Sequence, residues 1–411
     1  MDILFPHSAG LDVHKRTVVA CLFALGPDGV WQRHQRSFPT MTADLEALAR
    51  WLLSYGITHV VMESTGVYWK PVFNVLAAQC EVWLVNAHEA MNLPGRKTDY
   101  SDAEWLTRLM RCGLLKRSFI PEVGQRDLRD LTRYRTRLTQ ERAAAANRLQ
   151  KILEDANLKL AAVASDIQGV SARAMLEALI GGESDPAVLA DLAVGRLRAK
   201  LPALVEALSG QVREHHRFFF RELLDHLDHL GQCIATVNAR IAELTVPYAA
   251  LIQRLMQIPG VKRHTAEVIL AEVGPNVTPW PTAQHLASWA CLCPGNHISA
   301  NKRRSGKTRR GQQWLRTALV EAAWAASRQK DCYLAAQFQR LRARRGERRA
   351  AVAVAHSILT IIYHLLADPT TVFQELGGDY FVKKNPEQER RRAVKRLAAL
   401  GYEVILTPIS G

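Results

Sequence analysis

Apolar and polar positions divide the chain into two stretches of different character. The first hundred residues alternate short apolar runs with turn signals. Ala9 to Val13 is a brief apolar run and Thr17 to Leu25 a longer one rich in β-formers. Gly26-Pro27-Asp28-Gly29 reads as a turn, and Val30 to Phe38 mixes apolar and basic residues like a half-exposed strand. A helix follows, capped by Thr42, with an apolar face at Leu45, Leu48, Leu52 and Leu53 and a stop at Gly56. Then come a strand at His59 to Met62, a helix after Gly66, a strand at Glu81 to Val85 and a helix starting near Thr98. The order predicts an α/β unit with three antiparallel strands followed by two crossover strands.

From about Gln125 the period changes to that of long helices. Leu128, Leu131, Leu138, Ala145, Leu149 and Ile152 lie close to heptad spacing, with Arg135 and Arg142 interrupting. Residues 161–208 read as helices broken at Gly181-Gly182. Phe220, Leu223, Leu227, Leu230, Ile234, Val237, Ile241 and Leu244 then step by three and four through four heptads, ending before Pro247. That stripe fits a coiled coil, either as an antiparallel hairpin within one chain or as a seam between subunits, and also a helix packed inside its own subunit. Leu251 to Ala367 is a further, mostly helical segment. The predicted organisation is 1–124, 125–247, 248–367 and a tail at 368–411.

Charge sharpens this picture. The 411 residues carry 54 Lys and Arg against 39 Asp and Glu, an excess that favours a polyanionic partner. It is concentrated: Asn301 to Ala350 holds fifteen basic residues and three acids, and the tail adds Arg390, Arg391, Arg392, Lys395 and Arg396. Such a block matches a phosphate-backbone footprint, although a solvated helix face has the same composition. The seven cysteines are scattered without zinc spacing, which predicts reduced thiols in a cytosolic protein. Neither a signal peptide nor a run of roughly 18 apolar residues is apparent, so a membrane is not expected.

Four acids stand where the α/β pattern makes them converge. Asp12 ends the first strand, Glu63 follows the strand at His59 to Met62, and Asp99 and Asp102 are three apart, a spacing that shares one face of a helix. The element order resembles a ribonuclease-H-like sheet. Several carboxylates at one point suit a divalent cation such as Mg²⁺, which prefers hard oxygen ligands. Taken singly, each acid could be a helix cap or a solvated side chain. In the second half, Ile258-Pro259-Gly260-Val261 before a helix at Thr265 to Val273 suggests a phosphate-facing helix-hairpin-helix, or equally a plain helix-turn-helix core; Lys262 stands where a second glycine is usual. A polar loop from Pro294 to Gly311 sets Ser299 and Ser305 among Lys302, Arg303, Arg304, Lys307, Arg309 and Arg310. A helix with an apolar face at Trp314, Leu315, Leu319 and Ala322 and with Arg316 opposite comes next, then an arginine run that includes Arg344 and Arg345.

In combination these segments resemble the bacterial insertion-sequence transposases that pair an N-terminal DEDD domain with a C-terminal transposase domain, relatives of which are bridge-RNA-guided serine recombinases. The segments that carry the resemblance are Gly10 to Lys15, Glu63 to Gly66, Lys97 to Ala103, Ile258 to Val261, and Pro294 to Arg316. The resemblance implies a RuvC-like first domain in which Asp12, Glu63, Asp99 and Asp102 hold Mg²⁺ or Mn²⁺. It implies a helical coiled-coil insert that assembles a dimer or tetramer. It further implies a serine that attacks DNA and forms a phosphoserine link. Ser299 matches that nucleophile by position and Ser305 is the fallback, while Ala300-Asn301 departs from the glycines that often follow the serine. A structured guide RNA, DNA at the element ends and target, and a bacterial cytoplasmic, nucleoid-associated setting are implied as well.

Two other readings compete. One is a RuvC-like metal-dependent nuclease or Holliday-junction resolvase that activates water. The other is a DNA-binding assembly factor without catalysis. No phosphate-binding loop of the nucleotide triphosphatase type is found, consistent with a reaction that conserves bond energy in a protein–DNA ester.

Overall fold

The computed structural model describes residues 3–64, 66–87, 101–295, 297–299, 302–308 and 311–406, with the backbone alone at 297–299 and 302–305. It forms two compact units, Met1–Pro121 and Glu122–Gly411.

The first unit is a five-stranded mixed sheet flanked by helices. Its strands are β1 (Ser8–Val13), β2 (Thr17–Leu25), β3 (Trp31–Pro39), β4 (His59–Glu63) and β5 (Glu81–Val85), arranged β3-β2-β1-β4-β5. β1–β2 and β2–β3 pair antiparallel, whereas β1–β4 and β4–β5 pair parallel. The β2–β3 turn forms at the predicted position, with Gly29 at φ 75° and the Gly29 N–H donating to the Gly26 carbonyl. Alternation sorts the central strands between two cores. Ala9, Leu11, Val60 and Met62 face helices α1 (Thr42–Ser54) and α2 (Trp69–Leu76). Val61 faces α3 (Asp102–Arg111) on the other side, together with Trp105, Leu106, Leu109 and Met110.

Three expectations change here. The N-cap of α1 is Met41 rather than Thr42, and Leu53 is exposed because the buried stripe is Leu45, Leu48, Ala49 and Leu52. Helix α3 starts at Asp102, not near Thr98. Ser101 is extended (φ −63°, ψ 153°) and its hydroxyl accepts from the Glu104 N–H, which makes it the N-cap.

The second unit is helical apart from one hairpin. Helices α4 (Val123–Asp155) and α5 (Val170–Gly181) precede α6 (Leu201–Leu208), and the latter leads into α7 (Glu214–Thr245). Gly182, at φ 104°, stops α5 where the glycine pair predicted a break. The two long helices, α4 and α7, pack along each other antiparallel: the Asp155 carboxylate meets His216, and Arg135 meets Asn238. Phe220, Leu227, Leu230, Val237 and Ile241 are buried as the stripe predicted, whereas Leu223, Ile234 and Leu244 are half-buried and Leu224 takes a core position. Arg135 does not interrupt the seam. It is 3% exposed and donates to the Glu267 carboxylate at 2.5 Å.

Beyond Pro247 lie α8 (Ala249–Met256), α9 (Arg263–Val273), α10 (Ala283–Trp289), α11 (Gln313–Ala326), α12 (Tyr333–Arg345), α13 (Glu347–Ala367) and α14 (Pro386–Ala399). Helix α13 is long and apolar enough to cross a membrane by length and composition, contrary to the run-length expectation. It packs instead against α10, α11 and α12, burying Val354, Ile358, Leu359 and Ile362. The turn before α9 is buried too. A Cβ on Gly260 would stand 2.1 Å from the Ala322 carbonyl oxygen of α11, so the turn fits the plain helix-turn-helix core and not a phosphate-facing hairpin.

Candidate active site

Asp12 and Glu63 occupy equivalent positions on neighbouring strands. β1 and β4 run parallel with Leu11 opposite Met62, so the next residues, Asp12 and Glu63, stand level at the carboxyl ends of the two strands. By the same alternation they belong to the face of Gly10 and Val61, which α3 covers. Helix α3 runs antiparallel to β1: its last carbonyl, on Arg111, accepts from the Leu4 and Phe5 N–H groups, while Ala103 and Thr107 lie over Gly10. Its first residue, Asp102, is therefore placed at the sheet end that carries Asp12 and Glu63. Elements far apart in sequence thus bring three of the four predicted carboxylates to one end of one face. Asp99 lies outside the described residues.

Glycine at position 10 makes this approach possible. Its N–H donates to the Thr107 hydroxyl at 2.9 Å, and that hydroxyl also lies 2.7 Å from the Ala103 carbonyl and 2.9 Å from the Cys21 carbonyl. The backbone of α3 thereby sits close on β1, with no β1 side chain between them at this position. Asp12 is 28% exposed at its side chain and lies 3.0 Å from His14 Nε2. Asp12, Glu63 and Asp102 each offer only oxygen donors, and none of them is fully buried. This chemistry fits a hard divalent cation and argues against a thiolate- or imidazole-preferring metal. Among the described residues, no group of three His, Cys, Asp or Glu side chains stands close enough to hold an ion.

A buried acid on α3 braces that helix against β3. Glu104, 2% exposed, accepts from Arg33 on β3 at 2.6 Å and from Arg108 one turn along α3 at 2.9 and 3.0 Å. Burial alone would raise its pKa, but hydrogen bonds from Arg33 and Arg108 outweigh burial and hold the carboxyl below the usual glutamate range. The four-residue spacing of Glu104 and Arg108 was visible in the sequence, but the Arg33 partner was not.

In the second unit the segment expected to be a polar loop forms a short antiparallel hairpin. Its strands are β6 (His297–Ser299) and β7 (Lys302–Ser305), with Ser299 opposite Lys302 and His297 opposite Ser305. Ser299 is the last residue of β6, while Ser305 lies at the far end of the pairing. Below the hairpin, Pro294 bridges Thr308 and the Gly295 N–H donates to the Lys307 carbonyl at 2.9 Å. Lys302, Arg303 and Arg304 lie on β7, Lys307 is exposed, and Arg316 is half-buried on α11. Arg309 and Arg310 fall outside the described residues. Arg344 and Arg345 are exposed at the end of α12, and with Arg348 and Arg349 they make a basic corner around Gly346.

The second unit also holds a buried ionic network whose partners are too far apart in sequence to be paired by periodicity. Glu272, fully buried on α9, takes two hydrogen bonds from Arg133 (2.7 and 2.9 Å), lies 3.2 Å from Arg129 and accepts from the Gln312 side chain. Glu267 is held by Arg135 and Arg263. These contacts fix α9 on α4 and tie down the residue immediately before α11.

Comparison with known proteins agrees with both parts. A DEDD transposase profile of the IS110 type matches residues 9–158. A second profile, described as the transposase IS116/IS110/IS902 family, matches residues 252–339. A probable family 20 transposase of Pseudomonas aeruginosa is 27% identical over 280 residues, covering 67% of this chain and 74% of that protein. The transposase for insertion sequence element IS1111A of Coxiella burnetii is 27% identical over 322 residues, covering 76% of this chain and 78% of its own length. The first profile covers the sheet end with its carboxylates and the second covers the serine hairpin, and on this evidence the chain belongs to the IS110/IS116 family of transposases.

Proposed function

We propose that the protein cuts and rejoins DNA at the ends of an insertion sequence, using its sheet-end carboxylates with a divalent cation and Ser299 as the nucleophile. The observation that carries the proposal is the level placement of Asp12 and Glu63 at the ends of adjacent parallel strands, with Asp102 opening the helix laid over them. On this reading the sheet is RuvC-like, and Asp12, Glu63, Asp99 and Asp102 hold Mg²⁺ or Mn²⁺. A bound ion of this kind would polarise a phosphoryl oxygen and neutralise charge developing on it.

Residues of the chain itself do the rest. The Ser299 oxygen attacks the phosphorus of one phosphodiester as its proton passes to solvent. The bond to the leaving nucleotide oxygen breaks, and that oxygen takes up a proton as a free hydroxyl. The DNA remains joined to Ser299 through a phosphodiester, so bond energy is conserved and the reverse attack by another hydroxyl rejoins the strands. Lys302, Arg303, Arg304, Lys307, Arg309, Arg310 and Arg316 hold the phosphate backbone next to that serine, and Arg344 and Arg345 extend the basic surface. An element-encoded RNA selects the DNA in this scheme, and the paired long helices α4 and α7 provide the surface on which subunits assemble.

The test is an incubation of full-length protein with Mg²⁺, element-end DNA and element-derived RNA, followed by denaturing electrophoresis. A protein–DNA adduct that survives denaturant and disappears in Ser299→Ala supports the proposal. Cleavage without an adduct, equally strong in Ser299→Ala, would instead establish the alternative, a RuvC-like nuclease acting through activated water.

A further inference from the structure

The geometry points to a pocket for one unstacked DNA base, lined by Trp314, Arg133, Thr136, Gln140, Thr317 and Glu321; it rests on the proposed DNA chemistry and adds to it a specific contact to a base. The cavity has a volume of about 220 Å³ and lies between α4, α9 and the first two turns of α11. Its lining combines one large aromatic ring with an unusual concentration of hydrogen-bonding groups. Trp314 is half-buried, with the Arg133 and Arg137 guanidinium carbons over its ring, 5.7 and 5.6 Å from the centroid. Around it stand two carboxamides, three hydroxyls, two carboxylates and the His264 imidazole, which together can meet both donors and acceptors on the edge of a base. An aromatic face flanked by cations is the arrangement on which unpaired bases stack.

Two further observations favour a nucleic-acid base over a free metabolite. First, the wall is rigid. Arg133 grips Glu272 with two hydrogen bonds, and Gln312 closes on the same carboxylate, so the start of α11 is held in place before any ligand arrives. The same pairing removes Glu272 as a source of repulsion toward phosphate. Second, the cavity belongs to the helix that directly follows the serine hairpin. Trp314 stands on the first turn of α11, seven residues after Lys307, which belongs to the basic set proposed to hold the backbone. A strand gripped by that set needs only to turn one base inward to reach the indole. A duplex would have to unstack the base, which selects for sites already distorted or unpaired.

The experiment uses full-length protein and a DNA duplex carrying one extrahelical 2-aminopurine, whose fluorescence is quenched by stacking. A fully paired duplex of the same length serves as the reference. Wild type is expected to quench the probe and to prefer the bulged duplex. Trp314→Ala should abolish the quench and weaken bulged-duplex binding about ten-fold, the scale of one lost stack, with affinity for the paired duplex and its salt dependence unchanged. Trp314→Phe should retain most of both effects. Thr317→Phe fills the cavity mouth from an exposed position, so it should remove the quench without lowering the melting temperature. Binding of both duplexes by wild type with no quench overturns the pocket and leaves the DNA chemistry standing, as does a quench that persists in Thr317→Phe. A quench with the matching RNA probe but not the DNA probe also overturns it. Failure to bind either duplex overturns both proposals.

Discussion

Replacing Gly10 by alanine tests how the carboxylate site is held together. A Cβ at this position would stand 2.3 Å from the Ala103 carbonyl oxygen, 2.6 Å from the Thr107 nitrogen and 2.7 Å from the Thr107 hydroxyl. Two of these atoms are helix backbone, so no rotamer change can relieve the overlap. Restoring ordinary contact requires α3 to move off β1 by roughly 1 Å, since packed interiors hold little slack. Overpacking of this kind costs about 1–3 kcal/mol. The same movement stretches the buried Gly10 N–H bond to Thr107, and an orphaned buried donor adds about 1–3 kcal/mol. The sum is roughly 2–6 kcal/mol, read as a lower urea midpoint for the first unit with an unchanged slope. Because α3 begins with Asp102, the shift also displaces that carboxylate from Asp12. A misplacement of about 1 Å in a catalytic group lowers the rate by about 100-fold. Strand cleavage should therefore fall far more than the folded fraction does under conditions where the variant remains folded. Thr107→Ala is the companion: it removes the hydrogen bond without pushing the helix, so it should lose stability but keep most of its activity. Gly10→Ala with wild-type stability and cleavage would refute the close approach of α3 to β1.

Three further outcomes follow from other contacts. Glu272→Ala removes the buried carboxylate that Arg133 grips with two hydrogen bonds and that lies 3.2 Å from Arg129, and should cost about 3–5 kcal/mol in denaturant unfolding; a loss under 1 kcal/mol would mean that the network contributes little. The lowered pKa of Glu104 supplies stability that is complete above the usual glutamate range and is lost as pH falls through the still lower folded value. The Arg33→Met variant should therefore flatten the acid limb of a pH–stability curve for the first unit, and an unchanged limb would contradict the assignment. Arg344→Ala and Arg345→Ala should each weaken binding to unrelated DNA sequences alike and lower the slope of log affinity against log salt by about one, whereas a sequence-dependent loss would identify a base contact instead.

The sheet was legible in the sequence because half-buried strands advertise themselves by alternation. The turn at Gly26 to Gly29 and all five strands fall within a residue or so of where the pattern put them. Helix ends were less legible. Thr42 and Thr98 looked like starts, but capping depends on backbone dihedrals and on which N–H a hydroxyl reaches, and these select Met41 and Ser101. Charged residues misled where their partners were distant in sequence. Arg135 looked like a break in an apolar stripe because Glu267, 132 residues away, was invisible to periodicity. Glu104 and Glu272 were passed over for the same reason. The segment around Ser299 has too few apolar residues to signal strands, so its hairpin read as loop. The level placement of Asp12 and Glu63 could be inferred from strand order, because β1 and β4 are parallel neighbours, whereas the start of α3 at Asp102 could not, because it depends on the Ser101 cap.

The most direct test of the carboxylate site is Mg²⁺-dependent cleavage of element-end DNA by Asp12→Asn and Glu63→Gln, measured beside their DNA affinity and melting temperature. Both substitutions keep shape and remove one negative charge from a partly exposed strand end. The account predicts that strand scission is lost in each variant while DNA binding and stability stay close to wild type. Cleavage at the wild-type rate in both variants would contradict a cation site built on the ends of β1 and β4.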